Sequence, residues 1–339
     1  MPGARLRSLA KISAPSAMLV FASLLAPAAP AQQFYGEESR LDPFDGVPED
    51  SFGFAVAVDG DGAAVGAPLH DHGVFRSGSV YVFVRDANGW AFRSEVRSST
   101  PEDHAFFGFS VDLEEGTLAV GAPNDGPVPV GHAYVLERSG SSWVETAVIR
   151  PAALDVGDDF GYAIDMSGDT LLIGAPGDDQ LGGDAGAAYV YVRRGSTWVE
   201  EAKLVAADGE ANDWFGNAVS IDGDTALVGS WLSDVGFEQN AGAAYVFSRR
   251  DGVWTEEARL TAGDGTYADG LGWRVYLFGD AAVATAERLS SDGGAYVFRH
   301  GSHGWSEQAI LTASDAYTYQ QFGYAVDLYA SSIVVGTGD

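Results

Sequence analysis

A phenylalanine–glycine dipeptide returns along this chain at intervals of roughly fifty residues. It stands at the following positions, with Leu-Gly taking its place once: Phe52-Gly53, Phe107-Gly108, Phe160-Gly161, Phe215-Gly216, Leu271-Gly272 and Phe322-Gly323. A fixed period of this length is typical of chains that repeat one supersecondary unit, since each copy buries its apolar face only against its neighbours. Residues 32–339 are therefore predicted to contain about six copies of one small unit.

Each unit reads as four short β-strands. Alternating apolar residues follow the dipeptide, as at Phe54, Val56 and Val58, and a Gly-Asp pair then allows a tight hairpin. The second strand ends in Gly-Ala-Pro in the first three units, where proline closes the ladder because it has no amide hydrogen. The third strand carries a Tyr-Val pair in five units. The fourth strand is marked by a tryptophan in the same five units: Trp90, Trp143, Trp198, Trp254 and Trp305.

Four antiparallel strands per unit predict an all-β fold, a β-propeller of about six and possibly seven four-stranded blades. No segment of ten or more residues shows sustained helical periodicity, which argues against helical solenoids and βαβ units. The five repeated tryptophans are expected to pack between blades rather than to bind a ligand, because they occupy one position of the unit.

The two ends of the chain indicate how the ring closes. The stretch from Glu38 is similar to the stretch from Glu201 that leaves a fourth strand, so we expect the chain to enter as the outer strand of the blade that it finishes. The sixth unit stops after its second strand, at residues 334–339. Either the last blade is incomplete with three strands, or the chain is a piece of a longer propeller.

Residues 1–31 have the pattern of a secretory signal peptide. Arg5, Arg7 and Lys11 precede an apolar run, and small residues follow it up to Ala31. We expect cleavage after Ala31 and a protein that is secreted, whether periplasmic, at the cell surface or released; a retained N-terminal anchor is the alternative. Because the chain has no cysteine, such a protein has to rely on its core, its sheets or bound ions.

The formal net charge of −29 excludes two classes of partner. Nucleic acids and anionic membranes would be repelled by so acidic a surface. We therefore expect a monomer that meets an extracellular protein or glycan and does not insert into a membrane once the signal peptide is removed.

The Phe-Gly start and the Gly-Ala-Pro end of the units resemble the FG-GAP repeat, as found in the N-terminal propeller of integrin α subunits and in many secreted bacterial proteins. Units one to three match both halves. The later units depart from the second half: Gly229-Ser230-Trp231, Ala284-Thr285-Ala286 and Gly336-Thr337-Gly338. The resemblance implies a β-propeller used for adhesion or for protein or glycan recognition, sometimes with calcium in the blade loops.

Calcium in that family lies in an Asp-rich loop between the first two strands of a blade. Here the loop is shrunk to a hairpin turn, and Asp59 with Asp61 offers too few carboxylates for the six to eight oxygens that calcium prefers. Another acidic loop follows Gly-Ala-Pro in unit three, where Asp178, Asp179 and Asp184 lie within seven residues. These three are candidate calcium ligands, and a solvated turn is the alternative.

Two further polar patterns are interpreted as structural features rather than as ligand-binding sites. An aspartate two residues before the dipeptide is predicted to hydrogen-bond backbone amides in an Asx-type turn; it recurs at Asp50, Asp158, Asp213 and Asp269. The His70-Asp71-His72 triplet could bind zinc only with a third ligand and a carboxylate behind it, and neither is evident from the sequence. We therefore interpret the triplet as an exposed polar loop.

Five aromatic residues in units four and five fall outside the repeated tryptophan series: Trp214, Trp231, Phe237, Tyr267 and Trp273. They are predicted to line a ligand surface near the central channel, where the loops of one propeller face converge.

Two functions fit these observations. The leading one is a non-catalytic binding or adhesion module that recognises a protein or glycan through its blade loops. The alternative is an extracellular polymer-degrading hydrolase or lyase with paired acids in its channel. Catalysis needs unlike groups gathered at one place, whereas the acids of this chain recur in equivalent places, which favours the binding module.

Overall fold

The computed structural model describes residues 20–23, 41–43, 45–288, 293–313, 321–329 and 332–338. Regular structure in these residues is almost entirely β, and the one helical element is a 3-10 turn at Pro48–Asp50. Within the same ranges, no helix is long and apolar enough to cross a membrane.

Strand β1 (Val20–Ser23) comes first in the chain, and five four-stranded antiparallel sheets follow it, each with its strands paired in chain order. Blades one and two comprise β2 (Val56–Asp59), β3 (Gly62–Ala67), β4 (Ser79–Asp86), β5 (Gly89–Val96), β6 (Ser110–Glu114), β7 (Thr117–Ala122), β8 (His132–Ser139) and β9 (Ser142–Ile149). Blades three and four comprise β10 (Ala163–Ser167), β11 (Thr170–Ala175), β12 (Ala187–Arg194), β13 (Thr197–Leu204), β14 (Val219–Asp222), β15 (Thr225–Ser230), β16 (Ala243–Arg250) and β17 (Val253–Leu260). Blade five comprises β18 (Leu271–Phe278), β19 (Ala281–Ala286), β20 (Gly294–Gly301) and β21 (Gly304–Leu311), and the last sheet contains β22 (Phe322–Tyr329) and β23 (Ser332–Thr337).

The first strand of every sheet lies innermost. Residues in or next to β2, β6, β10, β14, β18 and β22 line a central cavity of about 140 Å³. The apolar core lies between neighbouring sheets, because the second and third strands of the five four-stranded sheets are mostly buried on both faces. The prediction for the repeated tryptophans is confirmed for four of them: Trp143, Trp198, Trp254 and Trp305 each pack against a cluster drawn from two adjacent blades.

The Phe-Gly dipeptide joins one blade to the next. Phe107 is fully buried against Tyr134 of its own blade, with ring centroids 5.2 Å apart, and its amide donates to the carbonyl of Ser77 in the preceding blade at 3.0 Å. Phe107 also forms a parallel β-bridge with Gly78 of the preceding blade. The same bridge recurs at three further blade boundaries among the described residues: Gly186 with Phe215, Gly242 with Leu271, and Gly293 with Phe322. The dipeptide is therefore a joint between units.

The Gly-Ala-Pro half of the motif completes that joint from the preceding blade. A Cβ added to Gly66 would lie 2.0 Å from the carbonyl oxygen of Gly108, and one added to Gly174 would lie 2.0 Å from that of Gly216. Only glycine allows backbones to approach this closely. Each Gly-Ala-Pro glycine thus contacts two dipeptides. It packs against the Phe-Gly of the following unit, and its carbonyl accepts from the dipeptide glycine of its own unit, as Gly121 does from Gly108 at 3.1 Å.

The ring is not closed between the last sheet and blade one. A Cβ added to Gly53 would meet no described atom within 4 Å, whereas one at Gly108 would lie 2.6 Å from the carbonyl oxygen of Ser79. Phe52 is also only half-buried, while Phe107 is fully buried. Each joint uses the glycine before a third strand, and among the described residues no such glycine of the last sheet contacts Phe52.

The last sheet takes its third strand from the N-terminus, although not from the stretch that the sequence suggested. β1 pairs antiparallel with β23, with Val20 opposite Val335 and Ser23 opposite Ser332. This apolar strand belongs to the predicted signal peptide, and it covers an edge of β23 that would otherwise be unpaired. The expected closing strand near Glu38 lies outside the described residues and stays a prediction.

The residues that lead into blade one, from Leu41 to Phe52, make the same kinds of contact as the residues that follow the fourth strand of blade three. Leu41 packs with Phe52 on the core of blade one. The Tyr81 hydroxyl donates to Asp45 at 2.9 Å, just as the Tyr245 hydroxyl donates to Asp208 at 2.9 Å. The predicted similarity between the two stretches is therefore confirmed for the part that the structure describes.

Candidate functional site

The residue after the Phe-Gly or Leu-Gly dipeptide is aromatic in every unit except the fourth, where it is Asn217. Because each dipeptide leads into an innermost strand, these side chains lie near the centre of the ring, and Phe54, Phe109, Tyr162 and Asn217 line the central cavity. In the fourth unit, Trp214 and Trp231 connect the aromatic rings of the neighbouring units. We call these two tryptophans and the five aromatic residues after the dipeptides the aromatic collar; its members are Phe54, Phe109, Tyr162, Trp214, Trp231, Trp273 and Tyr324.

The collar is a continuous run of ring contacts from the first unit to the sixth. Its successive centroid separations are Phe54–Phe109 4.6 Å, Phe109–Tyr162 4.9 Å, Tyr162–Trp214 6.2 Å, Trp214–Trp231 6.3 Å, Trp231–Trp273 5.0 Å and Trp273–Tyr324 6.2 Å. These are the separations of favourable edge-on and tilted aromatic pairs. All seven side chains are half-buried, so each ring is fixed by its neighbours and still presents a surface.

Asn217 supports the collar in the unit that lacks an aromatic residue. Its side-chain amide donates to the carbonyl oxygens of Gly272 and Trp273, at 3.0 and 3.1 Å. These bonds fix the backbone that carries Trp273, while Trp214 and Trp231 continue the ring contacts between Tyr162 and Trp273.

Two arginines lie on collar rings. The Arg274 guanidinium is 4.8 Å from the ring centroid of Trp273 and 5.9 Å from that of Tyr324, and Arg288 is 5.1 Å from that of Trp231. Burial raises the pKa of neighbouring Glu287, and attraction to the two arginines only partly opposes that rise. Arg274 and Arg288 thus bring two positive charges to the collar, and Glu287, whose carboxylate lies 3.6 Å from Arg288 Nε, brings one negative charge.

The structure brings together three of the five aromatic residues predicted from sequence to bind a ligand. Trp214, Trp231 and Trp273 are consecutive members of the collar. Phe237 and Tyr267 lie outside this run, with exposures of 103% and 67%. Sequence reasoning missed the other four members, although the repeated Phe-Gly-aromatic triplet was a signal that could have identified them. A ligand role for any of these residues stays a prediction.

The predicted calcium loop is held together by its own hydrogen bonds. Asp178 is buried, accepts from the Tyr189 hydroxyl at 2.8 Å and pairs with Lys203 at 2.7 Å. Asp179 accepts from the amide of Asp184 at 2.8 Å. These contacts give the aspartates a structural role without an ion, and calcium at this loop stays a prediction.

The repeated aspartate before the dipeptide hydrogen-bonds a backbone amide, as predicted, but not in the predicted Asx-type turn, in which the amide would lie two residues later. In four units a buried side-chain oxygen accepts a hydrogen bond from the amide three residues earlier: Asp50 from Val47 at 2.8 Å, Asp158 from Asp155 at 2.8 Å, Asp213 from Glu210 at 2.8 Å and Asp269 from Thr266 at 2.6 Å. This hydrogen bond is therefore a structural element of the blade junction.

The interpretation of His70-Asp71-His72 as an exposed loop is wrong for His70, which is 5% exposed. One ligand atom from each of His70, His72 and Glu95 lies within 4.8 Å of the other two, and no other group of this kind was found in the described part of the chain. Burial alone would raise the pKa of Glu95, but hydrogen bonds from Arg97 and Ser79 hold it below its usual value. The sequence did not show this cluster because Glu95 reaches it only through the pairing of β4 with β5.

A protein-family model described as FG-GAP repeat matches five stretches of the chain: residues 35–83, 143–191, 198–247, 254–298 and 305–338. The middle three each begin at the outer strand of one blade and end in the third strand of the next, so the family's repeat spans the joint between blades. No curated protein matches the chain.

Proposed function

Because the chain belongs to the FG-GAP repeat family, we propose that it is a monomeric, secreted or cell-surface binding module that recognises an extracellular protein or glycan at the aromatic collar. The observation that carries the proposal is the collar itself, a connected run of seven half-buried rings, three of which line the central cavity. Secretion rests on the sequence of residues 1–31.

Aromatic side chains in this state are well suited to binding. They bury a large area on contact, lose little conformational entropy because neighbours already hold them, and dominate the energetics of many interfaces. Packing between rings fixes the collar before a ligand arrives, which lowers the cost of association.

The two arginines indicate the charge of the ligand. A positive site on a strongly acidic surface attracts an anionic group and discriminates against cationic partners. We therefore expect the ligand to carry a carboxylate or another acidic group, as an acidic sugar or an Asp- or Glu-containing protein segment does.

The channel gives the alternative enzyme no specific support. Asp112, Asp165 and Asp327 occupy the same position after their Phe-Gly dipeptides. Asp165 accepts hydrogen bonds from the Ser220 hydroxyl at 3.1 Å and the Ile221 amide at 2.6 Å, so it ties two inner strands together. Such repetition indicates a structural role for these acids.

The experiment that tests this function is a binding screen of the purified protein on arrays of immobilised glycans and of extracellular peptides, each with neutral, acidic and basic members. The proposal predicts a discrete set of ligands enriched in acidic members. Absence of binding on both arrays, or selection of basic members only, would contradict it.

A further inference from the structure

Blade one carries a cluster of nitrogen and oxygen ligands on the loop after its second strand. His70 Nε2 lies 3.7 Å from Glu95 Oε1, and His72 Nδ1 lies 4.0 Å from the same oxygen. The imidazole rings of His70 and His72 are stacked, with centroids 5.8 Å apart. Three potential metal ligands of two chemical kinds thus face one point.

The buried histidine is oriented as a metal ligand would be. Its Nδ1 lies 2.9 Å from Asp50 Oδ2, and that oxygen is itself fixed by the amide of Val47 at 2.8 Å. With Nδ1 donating its proton to Asp50, Nε2 presents a lone pair toward His72 and Glu95. A carboxylate behind a histidine is the usual arrangement that sets the tautomer of a ligating imidazole.

His70 Nε2 is also a buried polar atom without a hydrogen-bond partner. The whole residue is 5% exposed, so solvent does not satisfy this atom. Buried polar atoms nearly always have partners, because leaving one unpaired costs on the order of 1–3 kcal/mol. The atom therefore points to something that occupies the space between the three side chains.

Blade three shows that the fold itself does not require this cluster. The positions of His70 and Glu95 are held there by Asp178 and Lys203, which form a direct ion pair at 2.7 Å. Blade one replaces that pair with an imidazole and a carboxylate that stay 3.7 Å apart. This gap is too long for a hydrogen bond and leaves room for an ion.

We propose that His70 Nε2, His72 Nδ1 and Glu95 Oε1 bind one Zn²⁺ ion, with Asp50 as the carboxylate that positions His70. Zinc takes imidazole nitrogens and carboxylate oxygens at about 2.0–2.2 Å in tetrahedral geometry, so its ligands lie about 3.4 Å from one another. The separations of 3.7 and 4.0 Å to Glu95 Oε1 need to close by about 0.3 and 0.6 Å to reach this geometry. The ligand atoms of His70 and His72 lie within 4.8 Å of each other, and the side chain of His72, which is 41% exposed, can supply the movement that brings them together.

The donor set favours zinc over calcium. Two imidazole nitrogens suit a borderline-soft transition metal, whereas calcium requires six or more oxygens. Glu95 stays an anionic ligand because Ser79 and Arg97 donate to it, and Arg97 carries charge that offsets Asp50 and Glu95 when no ion is bound. With three protein ligands and a solvent-exposed His72, the fourth position is open to water or to a ligand group.

The site also has a structural consequence. It connects the segment before Phe52, the loop after the second strand and the outer strand β5. These elements belong to the blade that lacks a closing joint, so a bound ion would strengthen the unclosed side of the ring. A ligand that binds only the folded state raises the unfolding temperature.

The test is isothermal titration of the purified protein with Zn²⁺ in buffer that contains excess Ca²⁺, so that exposed carboxylates are already occupied. We expect one zinc ion per chain, a rise in unfolding temperature of a few degrees, and absorption bands of a four- or five-coordinate site when Co²⁺ replaces Zn²⁺. His72→Ala, which removes an exposed ligand and leaves the core intact, is expected to weaken binding at least about tenfold.

His303→Ala is the matched control, because His303 is an exposed histidine in blade five, far along the chain from the cluster; it is expected to leave the affinity unchanged. Asp50→Asn is expected to weaken binding by about 10–100-fold through loss of the positioning carboxylate. The proposal is overturned if the protein shows no saturable zinc binding, or if His72→Ala binds as tightly as the unmodified chain.

Discussion

The pKa of Asp159 depends both on its burial at the blade junction and on the acidic residues around it. Asp159 precedes the Phe160-Gly161 dipeptide with a left-handed φ of 56°. Burial, followed by repulsion from Asp184 and Asp158, raises the pKa of its carboxyl group from 3.8 to about 6. The folded state therefore holds this proton more tightly than the unfolded chain does.

The raised pKa of Asp159 makes the stability of the fold depend on pH. A raised carboxyl pKa stabilises the fold fully below about pH 4, and that contribution is lost as the pH rises toward about 6. Asp159→Asn keeps a residue that tolerates positive φ and removes the charge. We expect the variant to gain about 1 kcal/mol in free energy of unfolding near pH 7 and nothing near pH 3.5. Chemical denaturation at both pH values checks this, and an equal effect at the two would contradict it.

At the scale of the element, the joint between blades explains why both halves of the sequence motif recur. The glycine of Gly-Ala-Pro in one blade lies against the backbone of the dipeptide glycine in the next. Replacing Gly174 with alanine would place a methyl group 2.0 Å from the carbonyl oxygen of Gly216, and two packed backbones leave little room for relaxation.

Gly174→Ala is therefore expected to lower the free energy of unfolding by about 3 kcal/mol. Gly301→Ala is the control, because Gly301 also lies in a strand but a Cβ there would meet nothing within 4 Å; it is expected to change stability by less than about 0.5 kcal/mol. Urea denaturation of the two variants measures both values. Similar stability of the two variants would refute the role assigned to the joint.

The strands, the two-residue hairpins and the backbone hydrogen bonds of Asp50 and its counterparts could be predicted from sequence because each depends on residues close along the chain. The joint could not, since it arises where different copies of the unit meet. For the collar, the Phe-Gly-aromatic triplet marks most of the residues in the sequence, but the ring contacts between units depend on the fold. Phe54 and Phe109 look like ordinary strand residues until the inner strands are placed around one cavity. Glu95 joins His72 for a similar reason, through cross-strand pairing of β4 with β5.

At the scale of the whole molecule, the missing joint predicts uneven stability around the ring. Blades two to five are each joined to a neighbour on both sides, whereas the described residues of blade one and of the last sheet form no such joint with each other. In repeat folds the stability of a unit comes largely from its contacts with its neighbours. The units beside the gap should open more readily than the others.

Hydrogen–deuterium exchange followed by mass spectrometry measures this directly. We expect amides of β2, β3, β22 and β23 to exchange at least about tenfold faster than those of β10, β11, β14 and β15, since local opening requires fewer contacts to break. Uniform protection in all six sheets would mean that the ring closes in solution.

The proposed function makes the aromatic collar the binding surface of this protein. The most direct measurement is calorimetric titration of the strongest array ligand against the unmodified protein, Trp273→Ala, Phe109→Ala and Phe237→Ala, with folding of each confirmed by denaturation. Loss of a ring at the centre of an interface commonly costs more than 1.4 kcal/mol, which is a factor of ten in affinity. The account predicts at least about tenfold weaker binding for both collar variants and no change for the exposed Phe237→Ala. Unchanged affinity in the collar variants, with loss in Phe237→Ala, would contradict it.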